Sequence, residues 1–254
     1  MIVTDAHIHL VQCGDFPRFE DDVSAYYACT CAHNRDEFFR QKEMIASCGD
    51  ARLHFLSAFG IHPQNPLAEN ASFLEGLIRA GKIRALGEAG FDRFTPEFAA
   101  ESDAQETVWA LQVELAAKYG LPLVVHCRKA QELLFRDAKK LGRIPAVLFH
   151  SFAGSPQDGR SLLRRGINAF FSFGKPLLNG KKSALACVRE LPLDSILLET
   201  DAPFQTLKGE ESTNPAEIVR VYEAAGALRG ISQEMLMEAV ARNFFACYGL
   251  KAAD

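Results

Sequence analysis

Residues 121–127 read Leu-Pro-Leu-Val-Val-His-Cys. The run is mostly apolar with no alternation of period two, which suits a strand buried on both faces of a parallel sheet. The segment before it, Asp103 to Tyr119, puts Val108, Leu111, Leu115 and Ala116 on one helical face. That segment stops at Lys118-Tyr119-Gly120, a cation followed by a glycine, as helix C-termini do. A helix delivering the chain into a buried strand is the repeating unit of a parallel α/β fold.

The same unit recurs in both directions. Upstream stand IVTDAHIHL from Ile2, SAYYACT from Ser24, HFLSAFGIH from His54 and IRALGEAG from Ile83. Downstream stand PAVLFHS from Pro145, INAFFSFG from Ile167 and SILLETD from Ser195. Gly81, Gly142 and Gly166 mark further helix ends, each a few residues before the next run. Two more helical stretches follow, near Pro215 to Ala225 and Ser232 to Tyr248. Eight such runs predict an α/β fold of the TIM-type (βα)8 barrel, parallel throughout, as one domain over residues 1–254. A doubly wound open sheet would normally carry a glycine-rich turn after its first strand, and none is present.

Composition narrows the function classes. With 48% hydrophobic and 24% charged residues, the chain is neither disordered nor fibrous. A net charge of −4 excludes a general basic surface for nucleic acid, so a polyanion must be held by a local site or through metal. Seven scattered cysteines, an odd number, do not form a disulfide framework and point to a reducing compartment. No N-terminal signal pattern and no apolar run of about 20 residues occurs. The expectation is a cytoplasmic chain with no membrane contact, compatible with a monomer.

Catalytic groups in such barrels sit where strands end at the C-terminal face. His7 and His9 close the first run, Glu88 the fourth, His126 the fifth, His150 the sixth and Asp201 the eighth. His7 and His9, two apart on a strand, face the same way and can bind one cation. Asp5 shares their parity and could fix a histidine tautomer. Buried carboxylates such as Glu88 and Asp201 need a cation or several donors. Arg84, on the strand face of Glu88, is one candidate partner. Glu199 has the parity of Asp201, and two carboxylates in one mouth also require a cation or a shared proton. Four imidazoles and two carboxylates suit one or two divalent ions: zinc, manganese, iron or nickel, with magnesium at a weaker position. With two ions, Glu88 is the natural bridge. His62 could donate to a leaving group or cap its loop. Arg128 and Lys129 could clamp a phosphate or serve as surface charge at a helix start. His33 reads as a polar-loop residue. Cys29-x-Cys31-x-His33 lacks the four ligands of a structural zinc site, and Cys29 reads as the buried end of its strand.

The stretches DAHIHL, GIHPQ, GEAGFD, LPLVVHCRKA, FHSFAGS and LLETDAP, in this order, resemble the TatD family of metal-dependent hydrolases within the amidohydrolase superfamily. Asn214-Pro215-Ala216 and Asn243-Phe244-Phe245 are similar to the family's closing segment. The resemblance implies one metal among His7, His9, Glu88 and Asp201, and another among Glu88, His126 and His150. It also implies hydrolysis of phosphodiesters, as by a deoxyribonuclease acting on nucleic acid ends, and the place of Asp201 at the open face makes it the candidate general base toward a metal-acidified water. Alternatives are a deacylase or amidohydrolase, for example on aminoacylated tRNA, and a metal-binding protein without turnover. Three departures bear on the substrate pocket: Val11 where an aspartate is usual, Gln64 in place of a second histidine, and a loop after Phe204 without the usual R-G-K run. Phe94, Phe152 and Phe204 are the candidates for stacking on a base.

Overall fold

All eight runs form strands in the computed structural model, which describes residues 1–251. The last three residues of the expected 1–254 domain lie outside that range. The strands are β1 (Ile2–Ile8), β2 (Ala25–Ala32), β3 (Leu53–Phe59), β4 (Ala85–Asp92), β5 (Leu123–Arg128), β6 (Val147–Phe149), β7 (Ala169–Phe173) and β8 (Ile196–Leu198). Each pairs in parallel with the next, in the order β1 to β8. The edges meet through His9 N–H to Ala202 O (2.8 Å) and Asp201 N–H to His7 O (3.0 Å), giving a nearly closed barrel.

Helices α1 (Leu10–Cys13), α2 (Arg35–Ser47), α3 (Ala71–Arg79), α4 (Pro96–Ala100), α5 (Ser102–Tyr119) and α6 (Gln131–Arg136) alternate with the earlier strands. They are followed by α7 (Ala138–Leu141), α8 (Pro156–Arg164), α9 (Lys182–Glu190), α10 (Ile218–Arg229) and α11 (Gln233–Cys247). The predicted stop of α5 is realised: Gly120 takes φ +64° and caps Ala116 O. Asn34, Ser155 and Ser232 cap the N-termini of α2, α8 and α11 with their side chains.

α5 does more than cover the barrel. Gln105 and Gln112, seven apart and both buried, clamp the backbone of two strand ends. Gln112 exchanges hydrogen bonds with Ile61 N–H (2.8 Å) and Ile61 O (3.0 Å), next to His62. Gln105 does the same with Asp92 N–H (3.0 Å) and Asp92 O (2.9 Å), at the end of β4. Trp109, on the same helix, packs on Phe91 and donates to Asp137 (3.0 Å). The loops that carry polar groups are therefore tied to a rigid helix.

Several strand limits differ from the sequence expectation. β2 runs past Thr30, because Cys31 and Ala32 are small enough to be buried opposite Ala58 and Phe59 of β3. Cys29 is thus interior to β2 rather than its end. Glu88 and His126 lie inside β4 and β5, four and two residues before their ends. β8 ends at Leu198, since Thr200 turns its N–H to the Asp5 carboxylate (2.9 Å) instead of to a neighbouring strand. His9, His150 and Asp201 follow their strands rather than belonging to them.

Backbone strain gathers at one end. Among the described residues, the non-glycine residues with positive φ are Lys129, Ser151, Asp201 and Gln205, all just beyond β5, β6 or β8. Such conformations persist where the surroundings over-determine them, typically near a working site. Gly90 is needed for a different reason. A Cβ there would stand 2.0 Å from His126 O, and its φ is +145°. Gly90→Ala is expected to destabilise the fold by at least about 3 kcal/mol, lowering the thermal midpoint by roughly 6–12 °C. A calorimetric scan that finds less than a 2 °C change would contradict this close approach of β4 and β5.

Candidate metal centre

The six residues expected as ligands converge. Glu88 is their hub, 1% exposed and ringed by imidazoles. Its Oε1 lies 3.3 Å from His7 Nε2, 3.4 Å from His9 Nε2 and 3.1 Å from His33 Nε2. Its Oε2 lies 2.7 Å from His150 Nε2, 3.3 Å from His126 Nδ1 and 3.7 Å from His62 Nε2. Asp201 Oδ1 completes the first side, 3.5 Å from His7 Nε2 and 3.4 Å from His9 Nε2. Arg84 is exposed and makes no ion pair with Glu88 among the described residues. The cluster opens into a cleft of about 490 Å³ that also reaches Gln64, Arg128, Lys181 and Phe204.

The chemistry of the donors tests whether cations fit. Asp92, fully buried, accepts from His126 Nε2 (3.0 Å), so this ring carries its proton there and turns the Nδ1 lone pair inward. That lone pair faces Glu88 Oε2 (3.3 Å) and lies 3.2 Å from His150 Nε2. His7 Nε2 and His9 Nε2 are likewise only 3.1 Å apart. The His126 lone pair and the Glu88 carboxylate repel each other unless a proton or a cation lies between them. Zinc and its neighbours take imidazole and carboxylate donors of this kind. The residues fit one or two divalent ions.

The electrostatics centre on the same carboxylate. Burial alone would raise the Glu88 carboxyl, but the charges of His7, His150 and His62 hold it well below the usual carboxylate range. Burial opposes charge on His150 as well, yet the Glu88 charge and hydrogen bond lift it to about 10. Burial dominates at His7, lowered to about 4, and at His62, lowered to about 3. Burial would raise Asp201, but the His9 hydrogen bond and the His7 charge keep it below its ordinary value. Burial pushes Glu199 up to about 7.

Other expectations need correction. Asp5 does not touch an imidazole. Its carboxylate accepts from Thr200 N–H and Oγ1, Tyr26 OH and His7 N–H, and so seals the seam between β1 and β8. Glu199 sits behind His150, held by Ser151 N–H (2.8 Å) and Ser172 Oγ (2.5 Å). Gln205 keeps the two carboxylates compatible by donating to both Glu199 (3.2 Å) and Asp201 (3.1 Å). Arg128 lies 3.5 Å from Asp92 and stacks on Phe94, its guanidinium 3.9 Å from the ring centroid. Phe152 is buried and offers no face to a base, whereas Phe94 and Phe204 are half exposed.

Three residues escaped the sequence reading. His33 enters the cleft because β2 runs two residues further than expected. Asp92 stands in GEAGFD, four residues past Glu88 and on its strand parity, a signal that parity could have supplied. Gln205 has no sequence signal, since its role depends on the positive φ of its own loop. Gln64, the departure from the second histidine, donates to Asp92 (2.8 Å). The loop after Phe204 is anchored by the buried Lys175, which pairs with Glu210 (2.5 Å) and Glu217 (3.0 Å).

The profile of the family described as TatD related DNase matches residues 4–249. The chain belongs to this family. The putative deoxyribonuclease tatdn3 of Danio rerio is 33% identical over a match spanning 63% of this chain and 60% of that one. Human deoxyribonuclease TATDN3 is 30% identical, with 95% of this chain and 92% of the relative covered. The crystal structure of YJJV, a TatD homologue from Escherichia coli K12, superposes with a TM-score of 0.80 at 25% identity, covering 98% of each chain. In this TatD-family barrel, the order of the eight strands brings distant motifs to one hub.

Proposed function

We propose that this chain is a divalent-metal-dependent hydrolase of phosphodiester bonds, a TatD-type deoxyribonuclease acting on nucleic acid ends. The observation that carries the reading is the convergence of imidazoles and Asp201 on the two oxygens of Glu88, in a chain of the TatD related DNase family. His7, His9, Glu88 and Asp201 would hold one ion, and Glu88, His126 and His150 a second. Zinc, manganese, iron and nickel match the nitrogen-rich donors best, with magnesium able to support turnover. Residues 1–254 act as one hydrolase domain in this reading. The unpaired cysteines suit a cytoplasmic location.

When bound, divalent ions acidify water from a pKa of 15.7 toward about 7 and offset charge on a phosphoryl oxygen. The remaining work falls to side chains. Asp201 is an ionised carboxylate at the cleft, aimed by its own φ of +54° and by the Gln205 amide, and accepts the proton of the attacking water. Asp92 keeps the His126 tautomer. His62 accepts Gln64 N–H at Nδ1 (3.2 Å), so its proton sits on Nε2 and faces the cleft, where it donates to the leaving oxygen. Arg128 and Lys181 supply local positive charge at the mouth, which the acidic surface elsewhere does not. Phe204, half exposed beside His9, offers a face to a terminal base.

The deciding experiment compares purified, metal-loaded protein on single-stranded DNA, bis(p-nitrophenyl) phosphate and acyl esters. Phosphodiester turnover that disappears with a chelator and returns with metal is the expected result. Acyl ester cleavage without phosphodiester cleavage would assign the site to a deacylase instead. Arg128→Ala is expected to raise KM for phosphodiesters about tenfold, the effect of losing a charge-assisted contact of roughly 1.5 kcal/mol. An equal change with acyl esters would remove Arg128 from phosphate binding.

A further inference from the structure

We propose that His33 is an additional metal ligand on the Oε1 side of Glu88, with Glu37 holding it in the ligating tautomer. The inference rests on the metal-centre reading above and adds a donor just past β2 to the six ligands named there. His33 follows β2 directly, and its Nε2 stands 3.1 Å from Glu88 Oε1, closer than either His7 or His9. Its ring lies 5.3 Å from that of His9 and 4.8 Å from that of His62.

Glu37 offers the ring a carboxylate on the side away from Glu88. Its Oε2 accepts the His33 backbone N–H (2.7 Å) and lies 3.8 Å from His33 Nδ1. The carboxylate is buried and locked, since Gln12 donates to its other oxygen and Asn34 caps its backbone N–H. Glu88 Oε1, at 3.1 Å, competes for the ring proton at Nε2, but a cation held by Glu88 removes that competition. The Glu37 charge beside Nδ1 then favours the proton there and the lone pair at Nε2. In that tautomer the lone pair and the carboxylate face each other across 3.1 Å and make no hydrogen bond. A cation between them satisfies both.

His62 is the instructive contrast on the opposite side of Glu88. A backbone N–H, not a carboxylate, faces its Nδ1, so its Nε2 is a donor. The two flanking histidines therefore present opposite faces, one built to ligate and one to donate. His9, His33 and Glu37 also offer ligand atoms within 4.8 Å of one another, so the position is crowded with donors.

The test is a Co²⁺ titration of chelator-stripped protein against a chromophoric competitor, with the visible Co²⁺ absorption recorded alongside. His33→Ala and His33→Gln should weaken one binding event by about 100-fold and change its absorption band, leaving the other event alone. Glu37→Gln should weaken the same event by about tenfold, as loss of a tautomer-fixing partner does. Far-UV circular dichroism and the metal-free melting midpoint establish that each variant is folded, and the Gln variant keeps the side-chain bulk. Unchanged Co²⁺ affinities and spectrum in both His33 variants would overturn the proposal, and a raised KM alone would make His33 a substrate contact. Wild-type protein that binds no Co²⁺ would instead bring down the metal-centre reading, a separate and distinguishable failure.

Discussion

Asp201→Asn is expected to lower turnover by about two to four orders of magnitude, the span of general acid–base catalysis. The substitution removes the carboxylate charge and the proton-accepting oxygen but keeps one carbonyl oxygen near His7 and His9. Geometry is otherwise conserved, because the backbone N–H of Asp201 stays bonded to His7 O and the positive φ suits asparagine as well as aspartate. Metal content should therefore fall far less than activity, since His126, His150 and Glu88 are untouched. The measurement pairs kcat with metal stoichiometry on the same preparation. Near-normal turnover at full occupancy would move the base elsewhere. Glu199 is the next candidate, although Ser151, Ser172 and Gln205 already occupy its oxygens.

Glu88→Gln should have the larger effect. Each carboxylate oxygen faces three imidazole nitrogens, so loss of the charge acts on both halves of the centre together. An amide offers one acceptor and one donor group, and its N–H₂ would displace a cation on whichever side it faces. Turnover should fall by at least about a thousandfold, equivalent to losing roughly 4 kcal/mol of charge stabilisation. A stability readout separates this from a local catalytic defect. At a metal concentration of about 100 Kd, binding stabilises the native state by about 2.7 kcal/mol, a rise of roughly 5–11 °C in the thermal midpoint for a chain of this size. That metal-dependent rise should be present in wild type, diminished little in Asp201→Asn and absent in Glu88→Gln. A full rise in Glu88→Gln would mean that Glu88 bridges nothing.

Much of the barrel was legible because burial on both faces leaves a coarse mark on the sequence. Continuous apolar runs, helix stops such as Gly120 and the absence of a glycine-rich turn suffice for eight parallel strands. The ligands were legible for a related reason. A histidine or carboxylate on an otherwise apolar run stands out, as His126, His150 and Glu88 do. Strand ends were less so, because ladder pairing depends on what lies opposite. β2 reaches Ala32 only because Cys31 and Ala32 meet Ala58 and Phe59, and that extension carries His33 into the cleft.

The sequence by itself determined the parity of His7 and His9, the order of the motifs and the family. Only the tertiary structure decided the partners of each ligand. Asp5 serves the seam rather than an imidazole, because closing the barrel brings Thr200 to it. Asp92 reaches His126, and Gln205 separates Asp201 from Glu199, through contacts between residues on different strands and loops. Period and composition report which face of an element is buried, whereas tautomers and carboxylate roles are set by a single atom placed within about 3 Å from a distant part of the chain.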